Sequence, residues 1–178
     1  MDNNSAQAIS LLLEFQEKGV LGWPIDLELQ EPSEDDGASE TKYWFDGEEW
    51  KKEKYKLIKF GQDGTGSSYC LWYYPGLTGE PPVVFFGSEG ELYNVANSVT
   101  EFVRYLGAGY DFGFGGWFVT DEEEDPDAID RVKLQKEIEN VYGELKGNPE
   151  ELYQQLLAIH PSFKEWVDKQ VEQYGFSG

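Results

Sequence analysis

The chain has 178 residues and a mass of 20.3 kDa, which suits one domain, or one domain with an appendage. Its content is 39% hydrophobic and 16% aromatic, which excludes wholesale disorder because rings bring large buried area per residue. Thirty-five acids against 14 Lys and Arg leave a formal net charge of −21; this repels phosphate backbones and anionic membranes, attracts a basic partner, and also favours solubility.

Ser5 to Lys18 reads as a first helix, with Ala8, Ile9, Leu12, Leu13 and Phe15 apolar and Gly19 as its stop. Glu31 to Glu40 (EPSEDDGASE) is turn-forming and acidic and is expected to be an exposed loop. Five β-prone stretches follow: Thr41 to Phe45, Tyr55 to Phe60, Tyr69 to Tyr74, Val83 to Phe86 and Leu92 to Ala96. Short separators rich in glycine and proline imply hairpins, hence a mainly antiparallel sheet. In YCLWYY, Tyr69, Leu71 and Tyr73 point one way and Cys70, Trp72 and Tyr74 the other; VVFF is likewise apolar on both faces. Such strands are expected to be central and covered on both sides, or covered on one side with an aromatic surface left for a partner.

Ser98 to Leu106 is a helix with capping-box spacing at Ser98 and Glu101, a stripe of Val99, Phe102, Val103 and Leu106, and a stop at Gly107. Residues 107–118 (GAGYDFGFGGWF) suggest a loop or irregular strand pressed on the core. DEEEDPD, residues 121–127, marks a hinge or boundary. Beyond it, Asp125 is expected to cap a helix with Pro126 in its first turn and Ile129, Val132, Ile138, Val141, Tyr142 and Leu145 on one face, ending at Gly147. Asn148-Pro149 starts another with Leu152, Tyr153, Leu156 and Leu157 inward, and Pro161 breaks it. Ser162 and Glu165 cap a third, carrying Phe163, Trp166, Val167, Val171 and Tyr174. The predicted class is α+β: a mainly antiparallel sheet of about 4–6 strands packed with helices, plus a C-terminal helical segment. The predicted division is a domain over 1–120 and a helical extension over 121–178 packed on the same domain.

Charge is unevenly placed. Between Phe60 and Asp130 Arg104 is the only basic residue against 13 acids, while six lysines gather between Lys42 and Lys59, where they would guard a strand edge. Cys70 and His160, the only residues of their kinds, would have to form any nucleophilic dyad. But Cys70 sits in an apolar strand and His160 at a helix end, which favours a neutral thiol and a terminal histidine. Asp111 (YDF) and Asp46 (FDG) are the acids in apolar context, and Asp111 reads more simply as a turn residue between glycines. DEEEDPD lacks the register of a calcium loop, and GQDGTGSS lacks the lysine and following helix of a phosphate loop. No catalytic residue, metal or cofactor is expected. A single cysteine and an N-terminus without signal-peptide pattern point to the cytoplasm.

Over residues 60–106, about a quarter of the chain, FGQDGTGSSYCLWYYPG and PPVVFFGSEGELYNVANSVTEFVRYL resemble the SUKH superfamily, bacterial immunity proteins related to a fungal cell-wall-synthesis regulator. That pattern is a glycine-rich turn entering an apolar strand, a proline-preceded strand with an acidic or glycine turn, and a strand running into a serine-started helix. Gly64, Gly66, Leu71, Trp72, Val83 to Phe85, Glu89, Gly90, Ser98, Phe102 and Leu106 take those places. Two parts depart from it: Trp23-Pro24-Ile25 with the acidic and lysine-rich stretches after it, and the helical tail from Pro126.

The resemblance implies an α+β domain without enzymatic activity that sits in the cytoplasm and neutralises a specific toxin, often a nuclease. The charge argument, reached separately, agrees, since an acidic protein can occupy a basic cleft. The expected function is therefore a non-enzymatic binding module of immunity type, monomeric or a weak homodimer, whose partner is a basic toxin. A regulatory or scaffold protein of the same fold is the alternative, and a small hydrolase comes third. Expected contacts are Asp63, Glu80, Glu89 and Glu91 in hairpin loops, Asp111 in the glycine loop, and Asp121, Glu122, Glu123, Glu124 and Asp125. Trp72, Tyr74 and Trp117 are the candidate aromatic anchors, although core packing is the role their sequence context favours for each.

Overall fold

A computed structural model describes residues 1–44, 55–119 and 125–174. Helix α1 (Asn3–Glu17) is capped by Asp2, whose carboxylate accepts from the Ser5 N–H at 2.9 Å, and it buries Ala8, Ile9, Leu12 and Phe15 as its sequence period requires. Strands β1 (Glu28–Ser33), β2 (Lys56–Gln62), β3 (Ser68–Tyr73), β4 (Val83–Phe86) and β5 (Leu92–Ala96) form one antiparallel sheet in sequential order. Helix α2 (Glu34–Trp44) links β1 to β2, and α3 (Val99–Gly107) follows β5. Then come a two-stranded hairpin, β6 (Tyr110–Gly113) and β7 (Gly116–Val119), and helices α4 (Arg131–Tyr142), α5 (Pro149–Ile159) and α6 (Phe163–Tyr174). The fold is α+β.

The sheet is covered on both faces. Tyr69, Leu71, Val83 and Phe85 face a large core shared with α1, α3 and α4, while Cys70, Trp72, Val84 and Phe86 face a second core with Phe163 and Val167 of α6. Strand alternation alone produces this sorting. Asn94, on buried β5, fastens the second layer: its side chain accepts from the Phe163 N–H at 2.8 Å and donates to the Pro161 carbonyl at 3.1 Å.

The segment expected to be a loop and then a strand, residues 31–44, is the end of β1 followed by α2. Ser33 Oγ accepts from the Asp36 N–H, and Glu34, Asp35 and Asp36 place negative charge in the first turn, where the helix dipole favours it. Gly37 is there for proximity, not for a turn: a Cβ on it would lie 2.3 Å from the Leu57 carbonyl oxygen, so α2 rests directly on β2. Lys56 and Lys59 do not guard an edge, because β2 is interior, and Lys51, Lys52 and Lys54 lie outside the described residues. Lys56 and Lys59 instead hold α2 through Glu34 and Glu40.

Of the sheet's two edges, β1 and β5, the first is closed by a side chain. The Gln16 carboxamide accepts from the Leu29 N–H at 2.7 Å and donates to the Leu29 carbonyl at 3.1 Å, taking the place of a neighbouring strand. On β5, the Val95 carbonyl is covered by the Trp117 indole N–H at 2.9 Å.

Residues 107–118 contain a regular hairpin rather than an irregular strand. Phe114 and Gly115 both have positive φ, 51° and 83°, the sign pattern of a type I′ two-residue turn. Helix α4 starts five residues later than expected, on Asp130, which accepts from the Lys133 N–H; Asp125 instead forms a local turn by accepting from Asp127. It ends at Gly143, and its buried face is Leu134 and Ile138, leaving Val132 and Val141 exposed. The reason is Gly107, where a Cβ would meet Ile138 Cγ2 at 2.8 Å: α4 docks where α3 has no side chain. In α5 only Leu152 and Leu156 are buried, with Tyr153 and Leu157 outside.

Candidate functional site

Because β2, β3, β4 and β5 run antiparallel in order, the β2–β3 and β4–β5 turns lie at one end of the sheet and the β3–β4 connection at the other. The two near turns are joined: Ser88 N–H donates to Ser67 Oγ at 3.1 Å and Ser88 Oγ to Thr65 Oγ1 at 3.3 Å. Asp63 shapes the first turn, accepting from the Thr65 N–H, the Thr65 hydroxyl and the Ser67 N–H at 2.7–2.9 Å. Glu91 shapes the second, accepting from the Glu89 N–H at 3.2 Å, and both glutamates are exposed. Glu80 belongs to the far end, close enough to Tyr142 to help raise that phenol's pKa after burial has done so.

A residue absent from the expected contacts completes the near end. Asp26 accepts from the Gly64 N–H at 2.8 Å across a separation of 38 residues. Asp26, Asp63 and Asp111 all add negative potential at Tyr69, whose hydroxyl burial and these carboxylates hold firmly protonated. Asp111 is 5% exposed and grips Arg131, with Nη2 at 3.1 Å from Oδ2 and Nη1 at 3.5 Å from Oδ1. Its pKa is raised because desolvation outweighs the Arg131 guanidinium, and Asp26 pushes in the same direction. Asp26, Asp111, Tyr69, Phe112 and Phe118 line a pocket of about 90 Å³.

The aromatic candidates separate. Trp72 is completely buried between Tyr74, Phe163 and Trp166, with ring centroids 4.8, 5.0 and 5.0 Å away. Trp117 stacks on Tyr105 at 4.1 Å. Both rings serve packing. Tyr74 is half-buried and joins His160 Nδ1 through its hydroxyl at 2.9 Å. Asp121, Glu122, Glu123, Glu124 and Asp46 lie outside the described residues.

Cys70 and His160 are employed separately. Burial raises the Cys70 pKa and keeps the group a thiol. Burial lowers the His160 pKa, against a hydrogen bond with the Asn97 backbone, and Tyr74 occupies Nδ1. Among the described residues no group of three or more His, Cys, Asp or Glu could hold a metal, and no helix is long and apolar enough to cross a membrane.

Sequence reasoning missed Asp26 because nothing local distinguishes it; only the fold brings it to Gly64. The same holds for Phe118, whose neighbours in sequence read as glycine-loop filler.

The family model described as SMI1/KNR4 (SUKH-1) matches residues 11–105, just over half of the chain. The match reaches back through α1, β1 and α2, so it takes in the Trp23-Pro24-Ile25 stretch and the acidic segment that had stood apart from the resemblance, and it stops before the β6–β7 hairpin. No curated protein and no solved structure gives a significant match. The chain belongs to the SMI1/KNR4 (SUKH-1) family.

Proposed function

We propose that this chain is a non-enzymatic binding module of immunity type that acts in the cytoplasm and occludes a basic protein, a toxin such as a nuclease. The observation that carries this reading is the acidic end of the sheet. Asp63, Glu89 and Glu91 lie on two joined turns, Asp26 reaches the first of these through the Gly64 N–H, and none of the four forms an ion pair with Lys or Arg among the described residues. Uncompensated charge on turns held by their own hydrogen bonds is suited to steering a basic partner and to meeting it without rearrangement. Asp121 to Asp125 are proposed contacts as well, and Glu80 contributes from the far end. Residues 1–120 supply the binding end in this reading, and 121–178 form a helical extension packed on the same domain, within which α4 joins the first core and α6 covers the second face of the sheet. The chain works as a monomer or weak homodimer.

Capture from a lysate of the source organism, with mass spectrometry of what is retained, tests this. A basic toxin retained at low salt and released as salt rises supports it, as does a toxin gene beside this one. Retention of no basic protein, or turnover of a substrate by the purified chain, contradicts it.

A further inference from the structure

The pocket beside Asp26 has chemistry beyond plain negative charge. At about 90 Å³ it is far smaller than cofactor sites, which run to about 300–1,000 Å³. One side-chain head group is what fits it. Phe112 and Phe118 of the β6–β7 hairpin give it aromatic walls, and Asp26 and Asp111 bring two carboxylates. One guanidinium, Arg131, answers them, and it binds Asp111. Asp26 has only the neutral Gly64 N–H, so the pocket holds one carboxylate charge without a counterion among the described residues. Aromatic faces beside a carboxylate suit a planar guanidinium, which stacks and hydrogen-bonds at once, better than a compact ammonium. Asp111 already grips the Arg131 guanidinium through both oxygens, so a carboxylate–guanidinium pair is present in this site.

The same hairpin carries an anomaly. Phe114 is fully exposed at its tip with φ of 51°, a conformation that glycine or asparagine adopts more readily. A large apolar ring on a strained backbone harms both stability and solubility, so its place at the tip points outward, to a contact. Trp23 and Phe118 are also 53% and 42% exposed.

Resting on the basic-partner reading, we infer that the pocket between Asp26 and Phe118 receives an arginine side chain of the partner, while Phe114 anchors the hairpin tip in an apolar recess of the same protein.

The test is a ¹H–¹⁵N NMR titration with the blocked peptide acetyl-Gly-Arg-Gly-amide, beside its lysine and glutamate analogues. Expected are saturable shifts at the Asp26, Asp111 and Phe118 amides with the arginine peptide, weaker ones with lysine, and none with glutamate. Asp26→Asn, which keeps an oxygen for Gly64, should weaken arginine binding about tenfold, the loss of one charge-assisted contact. Unsaturating shifts, equal response to lysine, or an unaffected Asp26→Asn variant would overturn the assignment. With a captured basic partner, Asp26→Asn and Phe114→Gly should each weaken binding about tenfold or more, while Phe114→Gly keeps or raises the melting temperature. If a basic partner is captured but both variants bind it undiminished, the pocket assignment fails and the basic-partner reading stands. If none is captured while the arginine peptide binds at Asp26, the pocket stands and that reading fails.

Discussion

Replacing Trp72 by alanine probes the second face of the sheet. The indole is completely buried and touches three rings, two of them on α6. Truncation of a buried aromatic costs about 3–5 kcal/mol, a large share of the roughly 5–15 kcal/mol that hold a domain together. The indole N–H, however, has no hydrogen-bond acceptor among the described residues, and burying such a donor costs about 1–3 kcal/mol. Trp72→Phe removes that donor and keeps a ring against Phe163, so its loss should stay below about 2 kcal/mol despite the missing atoms. Urea unfolding followed by circular dichroism measures both, and an unchanged slope would show that only stability has moved. A loss below about 1 kcal/mol for Trp72→Ala, with partner binding abolished, would refute the reasoning by placing the ring at an interface.

Asn94→Ala leaves the buried Phe163 N–H and the Pro161 carbonyl without their partner, and should cost about 2–4 kcal/mol, read as a lower urea midpoint; a change under about 0.5 kcal/mol would show that Asn94 does not fasten α6. Gly37→Ala, which helix propensity alone would favour, should destabilise by at least about 1–3 kcal/mol because its Cβ meets the Leu57 backbone; a stabilised variant would contradict the close approach of α2 to β2. His160 is the single histidine and its pKa is depressed by burial, so the folded chain favours the neutral ring. Its contribution is complete above the ordinary value of 6.5 and is lost as pH falls from there through the folded value. The stability advantage of wild type over His160→Gln should therefore shrink between about pH 7.5 and 5, and an advantage that grows would contradict it.

Some of this fold was legible because its causes are local. Ser98, Asn148 and Ser162 cap helices by accepting from the N–H three residues on, and that spacing is written in the chain. The two-faced apolar pattern of YCLWYY likewise required cover on both sides, and two cores supply it. What was not legible depends on distant partners. Gly37 reads as a turn former until Leu57 lies against it, and Ile138 turns inward while Val132 and Val141 stay exposed because Gly107 offers it a place to dock. The candidate site divides in the same way. The acids of the hairpin loops could be found from their turns. The convergence of Asp26 on Gly64, and the burial of Asp111 against Arg131, arise from pairings 38 and 20 residues apart.

The association rate with a captured basic partner, measured from about 20 to 150 mM salt for wild type and for a triple variant Asp26→Asn, Glu89→Gln, Glu91→Gln, tests the central claim most directly. Asp63 is left intact because one of its oxygens holds its turn through three hydrogen bonds, whereas Glu91→Gln keeps an oxygen for the single bond from the Glu89 N–H. Steering by the acidic end requires a wild-type rate that falls about tenfold or more across this range and a variant that starts slower and varies less. A flat wild-type profile, or a variant indistinguishable from wild type, would contradict it.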